Sequence, residues 1–113
     1  MRPRWRPVRV TPDADNRGWC PALLRARCAS AGGLAVIVIE FREEICLTAR
    51  GVLYSGPDEP VPWVDVTHPT TSASASFKFP PRFNGWRVLA VEALPNGEDG
   101  DKLVVTLEEY ACR

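Results

Sequence analysis

Residues 34–41 read LAVIVIEF, an apolar run that is interrupted only by Glu40. The β-branched residues within it favour an extended strand. Apolar residues at consecutive positions indicate a strand that is covered on both faces. The run is too short to cross a membrane, because a spanning helix needs about 20 apolar residues. It therefore predicts a strand inside a β-sheet.

Alternating apolar and polar residues continue the strand pattern on both sides of this run. Loop-forming clusters of Gly, Pro, Asn and Ser separate the alternating stretches. Such spacing is typical of an antiparallel β-sandwich or a small barrel, and we predict a mainly β fold of this kind. The last two stretches are expected to form a hairpin. The predicted strands, about seven in number, are residues 5–11, 34–41, 45–54, 61–66, 74–79, 86–94 and 103–110.

Residues 21–31 fit two structures. Pro21 at a first helical turn, several good helix formers and the stop signal Gly32-Gly33 favour a helix. As a strand, the same stretch alternates small apolar residues with Arg25 and Arg27. Length and propensity lead us to expect one short helix near 21–31, with the strand as the alternative.

Length and composition are those of one small domain. The chain has 113 residues, of which 45% are hydrophobic and 25% charged, so we expect residues 1–113 to form a single domain. Residues 1–9 are expected to be an extended basic arm. No apolar signal region follows the N-terminus, and no stretch is long enough to span a bilayer. These features predict a cytoplasmic protein without a membrane partner.

The formal net charge is zero, but the charges are unevenly distributed. Residues 1–27 hold seven arginines and two aspartates, a net charge of +5. Residues 92–113 hold six carboxylates and two cations, a net charge of −4. Zero net charge argues against a wholly basic nucleic-acid binder. The asymmetry allows two arrangements: the basic and acidic ends attract each other within one fold, or they form head-to-tail contacts between copies of the chain.

Candidate catalytic residues are few. His68 is the only histidine, Asp65 lies three residues before it, and Ser72, Ser74 and Ser76 lie after it. No nucleophile-elbow motif accompanies them, and no glycine cluster has the spacing of a phosphate-binding loop. We therefore expect no enzymatic activity and no cofactor.

The four cysteines are Cys20, Cys28, Cys46 and Cys112. None of them forms a CxxC pair, which is the spacing that lets one turn supply two ligands to zinc. Without a secretory signal, reduced buried thiols are favoured over disulfides. We expect no metal site.

Arginines and aromatic residues are the candidate partner-binding groups. Both residue types are enriched at the energetic centres of protein interfaces, and both also bind phosphates and stack on bases. The sequence therefore predicts a non-enzymatic protein-binding or assembly module, in an inhibitor, immunity-type or particle-subunit role, with a protein partner or self-association. The alternative is a small nucleic-acid-binding protein that uses the N-terminal arm. The candidate residues are Arg2, Arg4, Trp5, Arg6 and Arg9 of this arm, and Trp63 on an expected edge strand.

Overall fold

Eight β-strands and one 3₁₀ turn make up the part of the chain that the computed structural model describes, residues 4–12, 19–43, 62–68, 70–95 and 100–109. In chain order they are β1 (Arg6–Pro7), β2 (Thr11–Pro12), β3 (Leu23–Ala31), β4 (Leu34–Phe41), β5 (Trp63–Thr67), β6 (Ser74–Lys78), the 3₁₀ turn Pro81–Phe83, β7 (Trp86–Pro95) and β8 (Asp101–Glu109).

The strands form two antiparallel sheets. The larger sheet has the order β1-β3-β4-β8-β7, and the smaller sheet has the order β2-β6-β5. One hydrophobic core contains residues of both sheets. The prediction of a mainly β, antiparallel sandwich is confirmed.

The apolar run 34–41 is the central strand of the larger sheet, β4. It pairs with β3 on one side and with β8 on the other. Its inward side chains are fully buried, whereas burial of the outward side decreases along the strand from Glu40 to Leu34. The predicted burial on both faces therefore holds near Phe41 and is wrong at Leu34.

The helix expected near residues 21–31 is wrong, and this stretch is β3. It pairs with β4 over most of its length and turns Ala26 and Cys28 inward to the core. The two glycines taken as a helix stop have φ of 60° and 81° and form the tight turn between Ala31 and Leu34. Two successive positive φ angles suit a two-residue hairpin turn. The hydrogen bonds to β4 outweigh helix propensities of a few tenths of a kcal/mol per residue.

Four other predicted strands are confirmed as β5, β6, β7 and β8, with small differences at their ends. The predicted stretch 5–11 is divided between β1 of the larger sheet and β2 of the smaller sheet. The predicted strand at residues 45–54 lies outside the described residues.

β7 and β8 pair from Trp86 opposite Glu109 to Pro95 opposite Asp101, which confirms the predicted hairpin. A register shift between Val88 and Ala90 marks a β-bulge. The bulge leaves Leu89 exposed on the strand.

Inward side chains of both sheets meet in the core. Phe41 of β4 and Phe77 of β6 lie with their ring centroids 5.7 Å apart, which joins the two sheets. Towards one end, the ring of Phe83 lies edge-on to that of Trp86, with centroids 5.5 Å apart. Among the described residues, the apolar residues with less than 2% exposure are Ala35, Ile37, Ile39, Phe41, Pro62, Val64, Val66, Ala75, Phe77, Val88, Leu103, Val105 and Leu107.

Candidate functional site

The N-terminal segment passes from one sheet to the other. β1 pairs with β3, and the Val8 N–H donates to the Ala26 carbonyl oxygen at 3.0 Å. Val10 is buried in the core, and β2 then joins β6. From Arg6 onward, the predicted arm therefore lies against the fold.

Extended backbone places successive side chains of this segment on opposite sides. Arg4 and Arg6 line one cavity, of about 350 Å³. Trp5, between them, lines a different groove. The three neighbouring candidate residues thus contribute to two separate surfaces.

We call the first surface the arginine cavity. It lies at the edge of the core, on the inner side of β3, where Cys28 forms part of its wall. Burial raises the pKa of the Cys28 thiol, and the positive charge of Arg82 lowers it by a smaller amount, so the pKa lies above its ordinary value. The lining residues are Arg4, Arg6, Cys28, Ser30, Arg82, Phe83 and Trp86.

We call the second surface the apolar groove. It lies on the outer face of the larger sheet and has a volume of about 280 Å³. Trp5 is 40% exposed and Leu34 is 46% exposed, and the Arg27 guanidinium lies 5.5 Å from the centre of the Trp5 ring. The lining residues are Trp5, Ala29, Ser30, Ala31, Leu34 and Val36.

Ion pairs lie on the same outer face. The buried Glu40 carboxylate accepts a hydrogen bond from Arg25 Nε and another from Arg27, each at 3.0 Å. Arg87 pairs with Glu108 at 2.8 Å. Burial of the Glu40 carboxylate raises its pKa, but the hydrogen bonds and charges of Arg25 and Arg27 outweigh burial and hold the pKa below its ordinary value.

We expect Glu40→Gln to lower the free energy of unfolding at neutral pH by about 1 kcal/mol, because both arginines stay in contact with water and the attraction is screened. A carboxylate whose pKa is lowered by folding stabilises the fold above its unfolded pKa of about 4.3. That contribution is lost as the pH falls through the folded pKa. Urea unfolding should therefore show the penalty shrinking as the pH is lowered from about 5 to about 3.

The exposed carboxylate of Glu92 on β7 provides the matched control. Glu92→Gln should change the free energy of unfolding by less than about 0.5 kcal/mol. A Glu40→Gln penalty of equal size at neutral and acid pH would contradict this role of the ion pairs.

The remaining candidate residues lie elsewhere. Arg9 is exposed beside a shallow groove along Val8 and Leu23. Trp63 is half-buried on β5, which is an edge strand of the smaller sheet within the described part of the chain. Arg2 lies outside the described residues. Residues that the sequence suggested as one set of partner-binding groups thus lie on different surfaces of the fold.

The residues around His68 do not form a catalytic triad. The Ser76 hydroxyl donates its hydrogen bond to Asp65 Oδ1. His68 Nδ1 instead accepts hydrogen bonds from two following backbone N–H groups, at 3.1 and 3.2 Å, and its ring lies edge-on to that of Trp19. His68 is thus held as part of a turn.

The described cysteines are both free thiols. Cys28 is buried as predicted, whereas Cys20 is exposed, so the prediction of burial is wrong for Cys20. Cys46 and Cys112 lie outside the described residues. Over the described ranges, no three His, Cys, Asp or Glu residues come together in a group that could hold a metal ion.

Of the residues that line these surfaces, only Arg4, Trp5 and Arg6 were predicted from the sequence as binding residues, and Arg82 and Leu34 are among those that were missed. Arg82 follows a pair of prolines, and nothing in that pattern indicates that it lies near Arg4 and Arg6. Leu34 was assigned to a buried strand. Its position beside Gly33 at the strand end was the available signal, because turn-proximal residues lie near the margin of a sheet.

These features define an antiparallel two-sheet β protein with an exposed apolar groove and an arginine-lined cavity. No known family model, curated protein or solved structure matches the chain. Within the residues described, no helix combines the length and the apolar character needed to cross a membrane.

Proposed function

We propose that this protein is a non-enzymatic binding and assembly module that pairs with a second copy of itself through the outer face of the larger sheet. The observation that carries the proposal is the apolar groove, in which Trp5 and Leu34 are among the most exposed large hydrophobic side chains of the described residues. Contiguous exposed apolar surface that is rimmed by polar residues is typical of protein–protein interaction sites.

The sequence of β4 supports a covered outer face. Strands that are apolar at consecutive positions occur where both faces of a sheet are buried. The smaller sheet covers the inner face of β4. On the outer face, Leu34 and Val36 remain accessible in the described part of the chain. A partner placed there would bury the apolar side chains that β4 presents outward.

The charges on this face favour a second copy as the partner. Positive and negative side chains are nearly balanced and partly paired with each other, so two such faces do not repel. A two-fold contact needs a self-complementary patch of this kind. Among the described residues, the paired strands place four cations and three carboxylates on the outer side: Arg25, Arg27, Arg87 and Lys102, and Glu40, Glu92 and Glu108.

Leu34→Glu is expected to weaken self-association about 100-fold, because a buried unpaired carboxylate costs several kcal/mol and each 1.4 kcal/mol is tenfold. Trp5→Ala should weaken it about tenfold or more, since tryptophan is a frequent interface hot spot. Sedimentation velocity over a range of protein concentrations measures the monomer–dimer equilibrium directly.

Ser74→Glu is the matched control, because Ser74 is an exposed strand residue on the smaller sheet and receives the same charge. It should leave the equilibrium unchanged. Association through the apolar face should also persist at high salt, whereas the head-to-tail contact between the basic and acidic ends would weaken. A wild-type chain that stays monomeric at the highest concentration would overturn the proposal.

The finer predictions from the sequence remain predictions. The choice among inhibitor, immunity-type and particle-subunit roles depends on further partners. The cytoplasmic location likewise stays a prediction.

A further inference from the structure

The arginine cavity concentrates positive charge at one place. Arg4 and Arg6 reach it from the N-terminal segment, and Arg82 reaches it from the 3₁₀ turn, about 76 positions later in the chain. No carboxylate is among the described residues that line it. Like charges gathered in this way repel one another unless an anion is present.

These three arginines differ in their ion pairing from the arginines on the outer face of the larger sheet. Arg25, Arg27 and Arg87 each pair with a glutamate. Within the described ranges, Arg4, Arg6 and Arg82 make no such ion pair, so their guanidinium N–H groups are available to a ligand. The planar fork of a guanidinium donates two parallel hydrogen bonds to a phosphate or carboxylate, which makes arginine the usual residue for binding these anions.

Aromatic rings form another part of the cavity wall. Phe83 and Trp86 pack edge-to-face at an interplanar angle of 84°, and the Arg82 guanidinium lies 5.0 Å from the centre of the Phe83 ring. Phe83 is buried and Trp86 half-buried, so these rings are held by the core. The cavity thus combines cationic and aromatic walls, and its volume of about 350 Å³ is that of a small-molecule site.

We propose that the arginine cavity binds a small organic phosphate monoester that carries a flat apolar group. The phosphate would lie among the guanidinium groups of Arg4, Arg6 and Arg82, and the apolar group would contact Phe83 and Trp86. A phosphate monoester matches three cations better than a carboxylate does, because it carries close to two negative charges at neutral pH. Ser30 lines both the cavity and the apolar groove, but the three arginines and two aromatic rings that would hold the ligand line only the cavity.

Phenyl phosphate is the probe for this site, and isothermal titration calorimetry on the full chain measures its binding. We expect saturable one-to-one binding with a submillimolar dissociation constant. Inorganic phosphate should bind at least tenfold more weakly, because it lacks the ring. Phenol, which lacks the charge, should not bind measurably. Phenyl phosphate binding no tighter than inorganic phosphate would overturn the combined site.

Arg82→Ala should weaken phenyl phosphate binding at least tenfold, and Arg82→Lys should give an intermediate loss because it keeps the charge without the planar fork. Arg82 is exposed, so its replacement should not unfold the chain. Arg42→Ala is the matched control, since Arg42 is an exposed arginine just after β4 that lines neither the cavity nor the groove, and its replacement should leave the affinity unchanged.

A single-stranded oligothymidylate distinguishes the site from a nucleic-acid surface. If the site binds a small ligand, phenyl phosphate should bind by itself, without the further phosphates and bases of an oligonucleotide. Tight, strongly salt-dependent binding of the oligonucleotide together with no binding of phenyl phosphate would overturn the proposal and favour the nucleic-acid alternative. Equal losses of affinity in Arg82→Ala and Arg42→Ala would also overturn it.

Discussion

Replacing Phe77 by alanine is expected to lower the free energy of unfolding by about 3–5 kcal/mol. Phe77 is only 1% exposed, and its ring packs against that of Phe41 across the two sheets. Alanine would remove the apolar contact and leave a cavity that close-packed neighbours fill only in part. Urea unfolding followed by circular dichroism measures the loss.

Two further variants make this result specific to the contact between sheets. Phe77→Leu keeps most of the buried volume and should cost about half as much, which leaves a folded chain even if the alanine variant is too unstable to study. Leu89→Ala removes a side chain that is 40% exposed and should cost less than about 1 kcal/mol. Similar losses for Phe77→Ala and Leu89→Ala would contradict the placement of the core between the sheets.

Gly100→Ala is expected to cost about 3 kcal/mol or more, because two penalties act together. Gly100 has a φ of +118°, a conformation that side chains strongly disfavour. An added Cβ would lie 2.5 Å from the Phe41 carbonyl oxygen and 2.6 Å from the Glu43 nitrogen. These are backbone atoms where β4 ends, so relief of the clash requires the start of β8 to move. Thermal and urea unfolding measure the loss.

Gly85→Ala separates the two penalties. Gly85 also has a positive φ, of +85°, but an added Cβ would meet no atom within 4 Å. Only the conformational penalty of about 1–2 kcal/mol is then expected. Equal losses of free energy of unfolding in Gly85→Ala and Gly100→Ala would show that the close approach of Gly100 to the end of β4 adds no penalty of its own.

Most strands could be predicted because their pattern is local. In β6, Ala75 and Phe77 alternate with polar neighbours, and this period of two is itself the signal of a half-buried strand. The stretch that became β3 has good helix formers, and its alternation is weaker. Its state is decided by pairing with β4, which supplies backbone hydrogen bonds that local propensity does not represent.

The binding surfaces were predictable only in part. The interleaving of Arg4, Trp5 and Arg6 identified the segment that contributes to both surfaces. It could not show which surface each side of the segment would face, because that depends on how β1 pairs with β3. Arg82 joins the cavity through the path of the chain around the core, for which a single sequence contains no local signal.

The sequence by itself determined that this chain forms β-strands around a central apolar strand, because the period of the hydrophobic residues can be read within each short stretch of the chain. Only the tertiary structure decided which arginines share a cavity and at which end of β4 the outward side chains stay exposed. Those outcomes depend on residues that lie far apart in the chain but close in space: Arg6 and Arg82 line the same cavity, and Trp5 and Leu34 line the same groove. Pairing and packing of whole strands place such residues together, and no short stretch of sequence represents that free energy.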